Sequence, residues 1–351
     1  MKYSIIVPVF NRPDEVDELL ESLSNQTQKD FEVIIVEDGS VKTCKDVCDK
    51  YADILALHYY AKENSGPGQS RNYGAERANG EWLLILDSDV VLPTGYLEAI
   101  DHSLSSNIVA FGGPDAAHPS FTPVQKAISY SMTSFFTTGG IRGSSPQSGG
   151  AKGALDKFYP RSFNMGIRRD VYLQLGGFSK MRFGEDIDFS YRIVEAGHSP
   201  RLFPKAWVWH KRRTDFKKFF RQVYNSGIAR INLEKRHPGT MKLVHLLPTV
   251  FTVGVIALIL ISAVGRALMH YVDRDQFYWM CFAPWIPILL YSLLICIDST
   301  IKNKSLKVGL LSVPAAFVQL MGYGLGFIES WWKRCVLRQD EFQAFEKTFY
   351  K

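Results

Sequence analysis

Three stretches of this chain, 246–264, 277–297 and 308–328, contain no Asp, Glu, Lys or Arg. At about 1.5 Å of rise per residue, each is long enough as a helix to cross a hydrocarbon layer of roughly 30 Å. Only helices and closed barrels satisfy every backbone N–H and C=O in such a layer, so an α-helical membrane region is expected here. No comparable stretch precedes residue 210, so the near-zero mean hydropathy averages two different materials. The apolar part of the N-terminus is too short for a signal peptide and reads as a first strand. The expectation is a multi-pass protein of the cell (inner) membrane with its N-terminal domain in the cytoplasm. Cys44, Cys48, Cys281, Cys296 and Cys335 show no metal-ligand or Cys-x-x-Cys spacing, which fits that compartment.

Upstream, short apolar runs alternate with helical patterns. Residues 4–9, 31–36, 55–60 and 82–86 read as strands; 14–23 and 69–78 read as helices. Such alternation builds a mostly parallel sheet covered on both faces, with ligands beyond the carboxyl ends of the strands. Two strand ends carry acids. One run continues into Glu37-Asp38-Gly39-Ser40, and Leu83-Leu84-Ile85-Leu86 stops at Asp87-Ser88-Asp89. Acids at i and i+2 lean toward one point and suit a divalent cation, Mg²⁺ or Mn²⁺, whose shell a phosphate ester completes. An Asp-x-Asp alone also fits a solvated turn; its place at a strand end favours a site.

The ordered motifs go further. Ser4-Ile5-Ile6-Val7-Pro8-Val9-Phe10-Asn11, Val36-Glu37-Asp38-Gly39-Ser40, Gly68-Gln69-Ser70-Arg71-Asn72 and Leu86-Asp87-Ser88-Asp89 come first. Phe163-Asn164-Met165-Gly166-Ile167-Arg168-Arg169, Gly176-Gly177-Phe178 and Gly184-Glu185-Asp186-Ile187-Asp188 follow. In order and spacing this set resembles an inverting family-2 glycosyltransferase of GT-A fold, over about residues 3–213. The resemblance implies roles. Pro8 and Asp38 line the base pocket, Asp38 accepting from a uracil imide, so a UDP-sugar is the favoured donor. Arg71 helps neutralise the diphosphate. Asp89 binds the cation, Asp87 reaches the ribose or the cation's water shell, and His210 touches the diphosphate or the metal. Asp186 is the base that takes the acceptor's proton, with Glu185 beside it. Asn164 and Arg168 sit near the acceptor or the donor sugar. Plainer readings stand next to these: Asp-Gly is a common turn pair, acids often begin helices, and a lone histidine is more often structural.

The expected organisation is an α/β GT-A domain over 1–210, a basic amphipathic interface helix region over 211–240, a membrane region over 241–330 and a basic tail over 331–351. Residues 205–236 hold ten Lys/Arg against Asp215 and Glu234, an excess of eight that exceeds the whole chain's +6. Phe216, Phe219, Phe220, Val223 and Tyr224 form a helical stripe there. A basic helix with an aromatic face beside a span suits anionic membrane lipids rather than nucleic acid; the rival is a helix that packs its phenylalanines inward. The Gly/Ser-rich stretch 139–153 reads as a mobile loop or a long surface connection. Three full crossings would put the tail outside, whereas Lys333, Arg334, Arg338, Lys347 and Lys351 favour the inside. Pro314 and Gly322, Gly324 and Gly326 leave room for a bent or re-entrant third segment.

The expected activity is transfer of one sugar to a hydroxyl of a lipid-linked or membrane-associated glycan acceptor. A processive synthase would carry Gln-x-x-Arg-Trp where this chain reads Gln222-Val223-Tyr224-Asn225-Ser226. A polyprenyl-phosphate glycosyltransferase has an anionic nucleophile that needs no base. A non-catalytic membrane scaffold would have lost a key carboxylate, and none is missing.

Overall fold

The computed structural model describes residues 1–139, 158–181, 183–211, 213–267, 279 and 281–342. Its elements are β1 (Tyr3–Val9), α1 (Pro13–Ser24), β2 (Phe31–Asp38), α2 (Lys45–Tyr51), β3 (Leu57–Lys62), α3 (Pro67–Glu76), β4 (Trp82–Leu86), β5 (Val90–Val91), α4 (Tyr96–Ser103), β6 (Ala110–Gly112) and β7 (Asp115–Ala116). There follow α5 (Pro123–Thr133), α6 (Phe135–Thr138), β8 (Asn164–Arg168), α7 (Arg169–Gln174), α8 (Glu185–Glu195), β9 (Arg201–Leu202), β10 (Val208–His210), α9 (Phe216–Arg236), α10 (Leu247–Ala267), α11 (Ile286–Asn303) and α12 (Leu306–Trp331). The chain divides into two compact units, one of 1–119 and 143–211, the other of 120–142 and 212–351. Residues 120–142 thus group with the C-terminal helices rather than with the stretch 1–210. Apart from Gly139, the stretch 139–153 lies outside the described residues.

The first unit is a sheet of order β3-β2-β1-β4-β8-β6-β9, with a small second sheet β5-β10-β7. The run β3-β2-β1-β4 is parallel, and β8 lies antiparallel to both β4 and β6. Alternation sets the two faces, because successive side chains on a strand point opposite ways. Ile5 and Val7 join Val16, Leu19, Leu20 and Leu23 in one core; Ile6 joins Ala75, Tyr172, Phe178 and Phe189 in the other. A sheet buried on both sides explains why Val33–Val36 of β2 and the whole of β4 read as unbroken apolar runs. Strand order reverses at β1, between β2 and β4, so a crevice opens at the carboxyl ends of these strands.

The second unit contains three helices long and apolar enough to cross a membrane, Leu243–Ala267, Ala283–Asn303 and Leu306–Val336. The second of them is shifted from the uncharged stretch 277–297. It runs on to include Asp298, whose carboxylate accepts from Tyr130 Oη at 2.6 Å and from Lys302 Nζ at 2.9 Å. A partnered acid is tolerated where an unpaired one would not be; residues 277, 278 and 280 lie outside the described residues.

The third apolar segment is one unbroken helix, α12, continuous through Pro314. Its glycines are contact points. A Cβ on Gly322 would lie 2.6 Å from Val223, and one on Gly326 would overlap the carbonyl oxygen of Tyr224. The aromatic stripe of α9 is therefore turned toward α12. Phe219 and Val223 are buried with Ile128 and Met132, and Phe216 and Val318 pack against them. The basic helix shields its apolar face with protein, which corrects the expectation that this face meets lipid. Gly227 makes the same close approach from the α9 side, where a Cβ would overlap the carbonyl oxygen of Tyr323. Gly227→Ala is expected to destabilise the second unit by about 1–3 kcal/mol, the usual cost of overpacking. Thermal unfolding of the full chain in detergent checks this, and an unchanged midpoint would refute so close a crossing.

Candidate functional site

The site begins where β4 ends. Its last residue, Leu86, pairs with Asn164 of β8, and the chain then turns through Asp87, Ser88 and Asp89 into β5. β5 pairs antiparallel with β10, with His210 opposite Val90. That register puts His210 Nε2 3.2 Å from Asp89 Oδ1. One ligand atom each from Asp87, Asp89 and His210 lie within 4.8 Å of one another. Two carboxylates and an imidazole at that spacing fit a divalent cation such as Mn²⁺. The imidazole is held from behind by Phe163, stacked at 4.9 Å, and its Nδ1 lies 3.8 Å from Asp115 Oδ2. Arg12, in the turn after β1, donates to Asp89 Oδ2 at 2.5 Å. Burial pulls its pKa down, but the pairing with Asp89 outweighs this and the net shift is upward.

Arg71 joins this acidic end to α8. It projects from α3, is 3% exposed, and donates to Asp87 Oδ1 at 2.7 Å and to Glu185 Oε1 at 3.1 Å. Its guanidinium also lies over the Phe178 ring at 5.2 Å. Gly68 lets the two helices come this close, since a Cβ there would lie 3.2 Å from Phe178 and 3.3 Å from Glu185. Glu185 opens α8, and burial raises its pKa to about 7, with Arg71 pulling it down and Asp186 pushing it up. Asp186 is more open. Its Oδ1 accepts from the Ile187 N–H at 2.9 Å, and Oδ2 lies 3.4 Å from Arg161 Nη1. Asp188 is buried and accepts from Arg192 Nε at 3.1 Å. Arg192 in turn donates to the carbonyls of Leu175 and Gly177, which ties the Gly-Gly-Phe turn to α8.

Some expected site residues are placed differently. Arg168 pairs with Trp82, at the opposite end of β4 from Asp87, because β8 runs antiparallel; its guanidinium binds Asp170 at 2.5 Å. It does not join the acidic end, which corrects its assignment beside the sugar. Asn164 lies at the right end but is buried. Its amide donates to Ala206 O at 2.8 Å and its carbonyl accepts from Tyr96 Oη at 2.7 Å, so it braces the strand rather than facing a cleft. Asp38, at the end of β2, accepts from the N–H groups of Ser65 and Gly66, both at 2.9 Å, and from Lys62. It shapes the loop that opens α3. Pro8 is half-buried on β1 opposite Val36.

Arg12, Asp115 and Arg161 belong to the site and escaped the sequence reading. Arg12 carried a usable signal, since it follows β1 at the same sheet edge as Asp38 and Asp87. Asp115 did not, because pairing between strands remote in sequence brings it in. The raised Glu185 carboxyl has a measurable consequence. A carboxyl shifted upward stabilises the fold below its ordinary value of 4.5, and that contribution is lost as pH rises toward about 7. Glu185→Gln is expected to flatten this part of the pH dependence of the thermal midpoint. An unchanged slope between these limits would assign the titration elsewhere.

A family model for glycosyl transferase family 2 matches residues 4–172. An uncharacterised glycosyltransferase of Rickettsia bellii (strain RML369-C) is 36% identical over 88 residues, 25% of this chain and 13% of that protein. One of Haemophilus influenzae is 30% identical over 200 residues, 55% of this chain and 62% of that protein. The chain thus spans less than two thirds of the length of either relative. Among solved structures, the mannosyltransferase PcManGT from Pyrobaculum calidifontis, in complex with GDP-Man and Mn²⁺, superposes with a TM-score of 0.57. The match covers 95% of this chain and 88% of that one at 13% identity, a likeness of fold. Residues 4–172, just under half of the chain, match a glycosyl transferase family 2 domain, and the fold that carries them is of the GT-A type.

Proposed function

We propose that this chain is a membrane-bound inverting glycosyltransferase. It moves one sugar from a nucleoside diphosphate sugar, with uridine the favoured base, to a hydroxyl of a lipid-linked or membrane-associated glycan. The observation that carries the reading is the convergence of Asp87, Asp89 and His210 at the end of β4, coupled through Arg71 to Glu185 at the start of α8. The helices α10 and α11 are the membrane crossings of this reading, their flanks lined by exposed aliphatic side chains.

Asp87, Asp89 and His210 would hold a divalent cation, which would supply positive charge against the departing diphosphate. Arg12 and Arg71 add positive charge at the same edge of the sheet. Asp186, more exposed than Glu185, takes the proton from the acceptor hydroxyl as it attacks the anomeric carbon. Arg161 orients that carboxylate. The bond from the anomeric carbon to the diphosphate oxygen breaks on the opposite face, which inverts the centre.

Two outcomes are expected. Asp186→Asn abolishes transfer while calorimetry with the nucleoside diphosphate finds nearly unchanged affinity; a large loss of affinity would remove Asp186 from the base role. Arg12→Ala tightens Mn²⁺ binding without nucleotide, because a guanidinium 2.5 Å from Asp89 competes with any cation there. Asp89→Asn weakens that binding. Electron paramagnetic resonance of free Mn²⁺ reads both. Weaker binding in Arg12→Ala would show that Arg12 supports the ligands rather than competes for them, and an unchanged affinity in Asp89→Asn would remove the cation from this site.

A further inference from the structure

We propose that α5 and α6 form a membrane-inserted element of the second unit, with Phe135 and Phe136 among the lipid acyl chains of one leaflet. In sequence this segment lies between two strands of the first unit, yet it belongs with the apolar helices. The inner face of α5 is packed on them: Tyr130 is buried with Ile295 and Ala316, and Ala127 with Val308 and Ala315. Immediately after α5 the chain turns at Ser134, which caps α6 by accepting from the Phe136 N–H at 3.3 Å. Phe135 and Phe136 then stand 69% and 41% exposed, packed edge-to-face on each other at 6.0 Å.

Three observations identify what covers them. The first is depth. The Phe136 carbonyl accepts from Tyr291 Oη at 3.1 Å, and Tyr291 lies well inside α11. Leu290, beside Tyr291 in the same turn of that helix, is 59% exposed, so at this level of α11 the chain presents an apolar side chain to its surroundings. The second is charge. Lys126, in the first turn of α5, is the last charged residue before Gly139, so nothing along 127–139 resists transfer from water. The third is the treatment of the hydroxyls. Ser131, Thr133, Thr137 and Thr138 each donate to a backbone carbonyl of their own segment, to Ile128, Ser129, Ser134 and Ser134 respectively. Ser24 and Ser103 of the first unit make the same kind of bond, so these partners permit a place in hydrocarbon rather than demand it. An apolar tip on a stem that carries no charge and bonds these four hydroxyls to its own backbone suits a segment seated in the acyl boundary.

The inference rests on α11 crossing the membrane and does not depend on the catalytic reading. The test places a nitroxide at Phe135→Cys, and separately at Phe136→Cys, in the full chain in liposomes. Cys296→Ser and Cys335→Ser remove the more accessible native thiols. Leu290→Cys serves as the lipid standard and Val41→Cys, at a residue 92% exposed in the first unit, as the aqueous one. Collisions with oxygen, which partitions into lipid, are compared with collisions with a water-soluble nickel chelate. The expected result is an oxygen-to-nickel ratio at 135 and 136 shifted toward that of 290 and away from that of 41. A ratio like that of 41 overturns the proposal. Weak collisions with both reagents would mean that protein, a second copy or a partner, covers the pair, and overturns it too. A water-like ratio at 290 itself would overturn the spanning reading and this one with it.

Discussion

The acidic end of the sheet depends on one buried cation, the guanidinium of Arg71. Asp87 and Glu185 come from distant parts of the chain and carry the same charge, and they share this one arginine. Glu185 is nearly buried while Asp87 keeps 30% of its side chain exposed, so the loss of the arginine would fall chiefly on Glu185, left in the interior without its cation. The arginine is itself costly to bury, and the two acids make its position tolerable. The dependence is therefore mutual. It locks α3 to the start of α8 and so fixes where Asp186 stands. The raised pKa of Glu185 is the residue of that balance, since burial outweighs what the arginine returns.

Much of this was legible in the residues, for physical reasons. The mostly parallel sheet followed from strands and helices that alternate at short intervals, and Asp87 and Asp89 from carboxylates placed where an apolar run stops. His210 entered only through the family resemblance, because a lone histidine carries no signal of its own. Arg168 was misplaced because a sequence motif does not reveal strand direction: once β8 runs antiparallel, its two ends serve opposite edges of the sheet. Asn164 and Asp38 sit at the correct edge, but their hydrogen bonds are made within the protein, Asn164 with Tyr96 and Ala206 and Asp38 with Lys62, Ser65 and Gly66. Asp115 and Arg161 depend on long-range pairing that no local pattern encodes.

The membrane-facing half shows a second kind of ambiguity. An aromatic stripe on a basic helix and an aromatic pair on an uncharged one look alike as lipid-seeking features. Glycines decide between them. Where Gly227, Gly322 and Gly326 admit a close approach, the stripe of α9 becomes protein core. The helix α12, more covered by its neighbours than α10 or α11, then acts as the post around which α5, α9, α10 and α11 are arranged. Periodicity gives the direction in which a helix is apolar, but not what it will meet there.

The interleaving of the two units along the chain bears on how this protein can be dissected. No single cut separates them. A fragment ending at Lys211 keeps the first unit whole but also retains 120–142, with Ala127, Ile128, Tyr130 and Met132 stripped of the helices that cover them. A fragment ending at Arg236 adds α9, whose aromatic face keeps α5 but loses its partners on α12. Either would offer a contiguous apolar surface to other copies of itself, the usual origin of aggregation in truncated proteins. A soluble form of the first unit requires an internal excision as well: 120–142 replaced by a short polar bridge, together with removal of everything after Lys211.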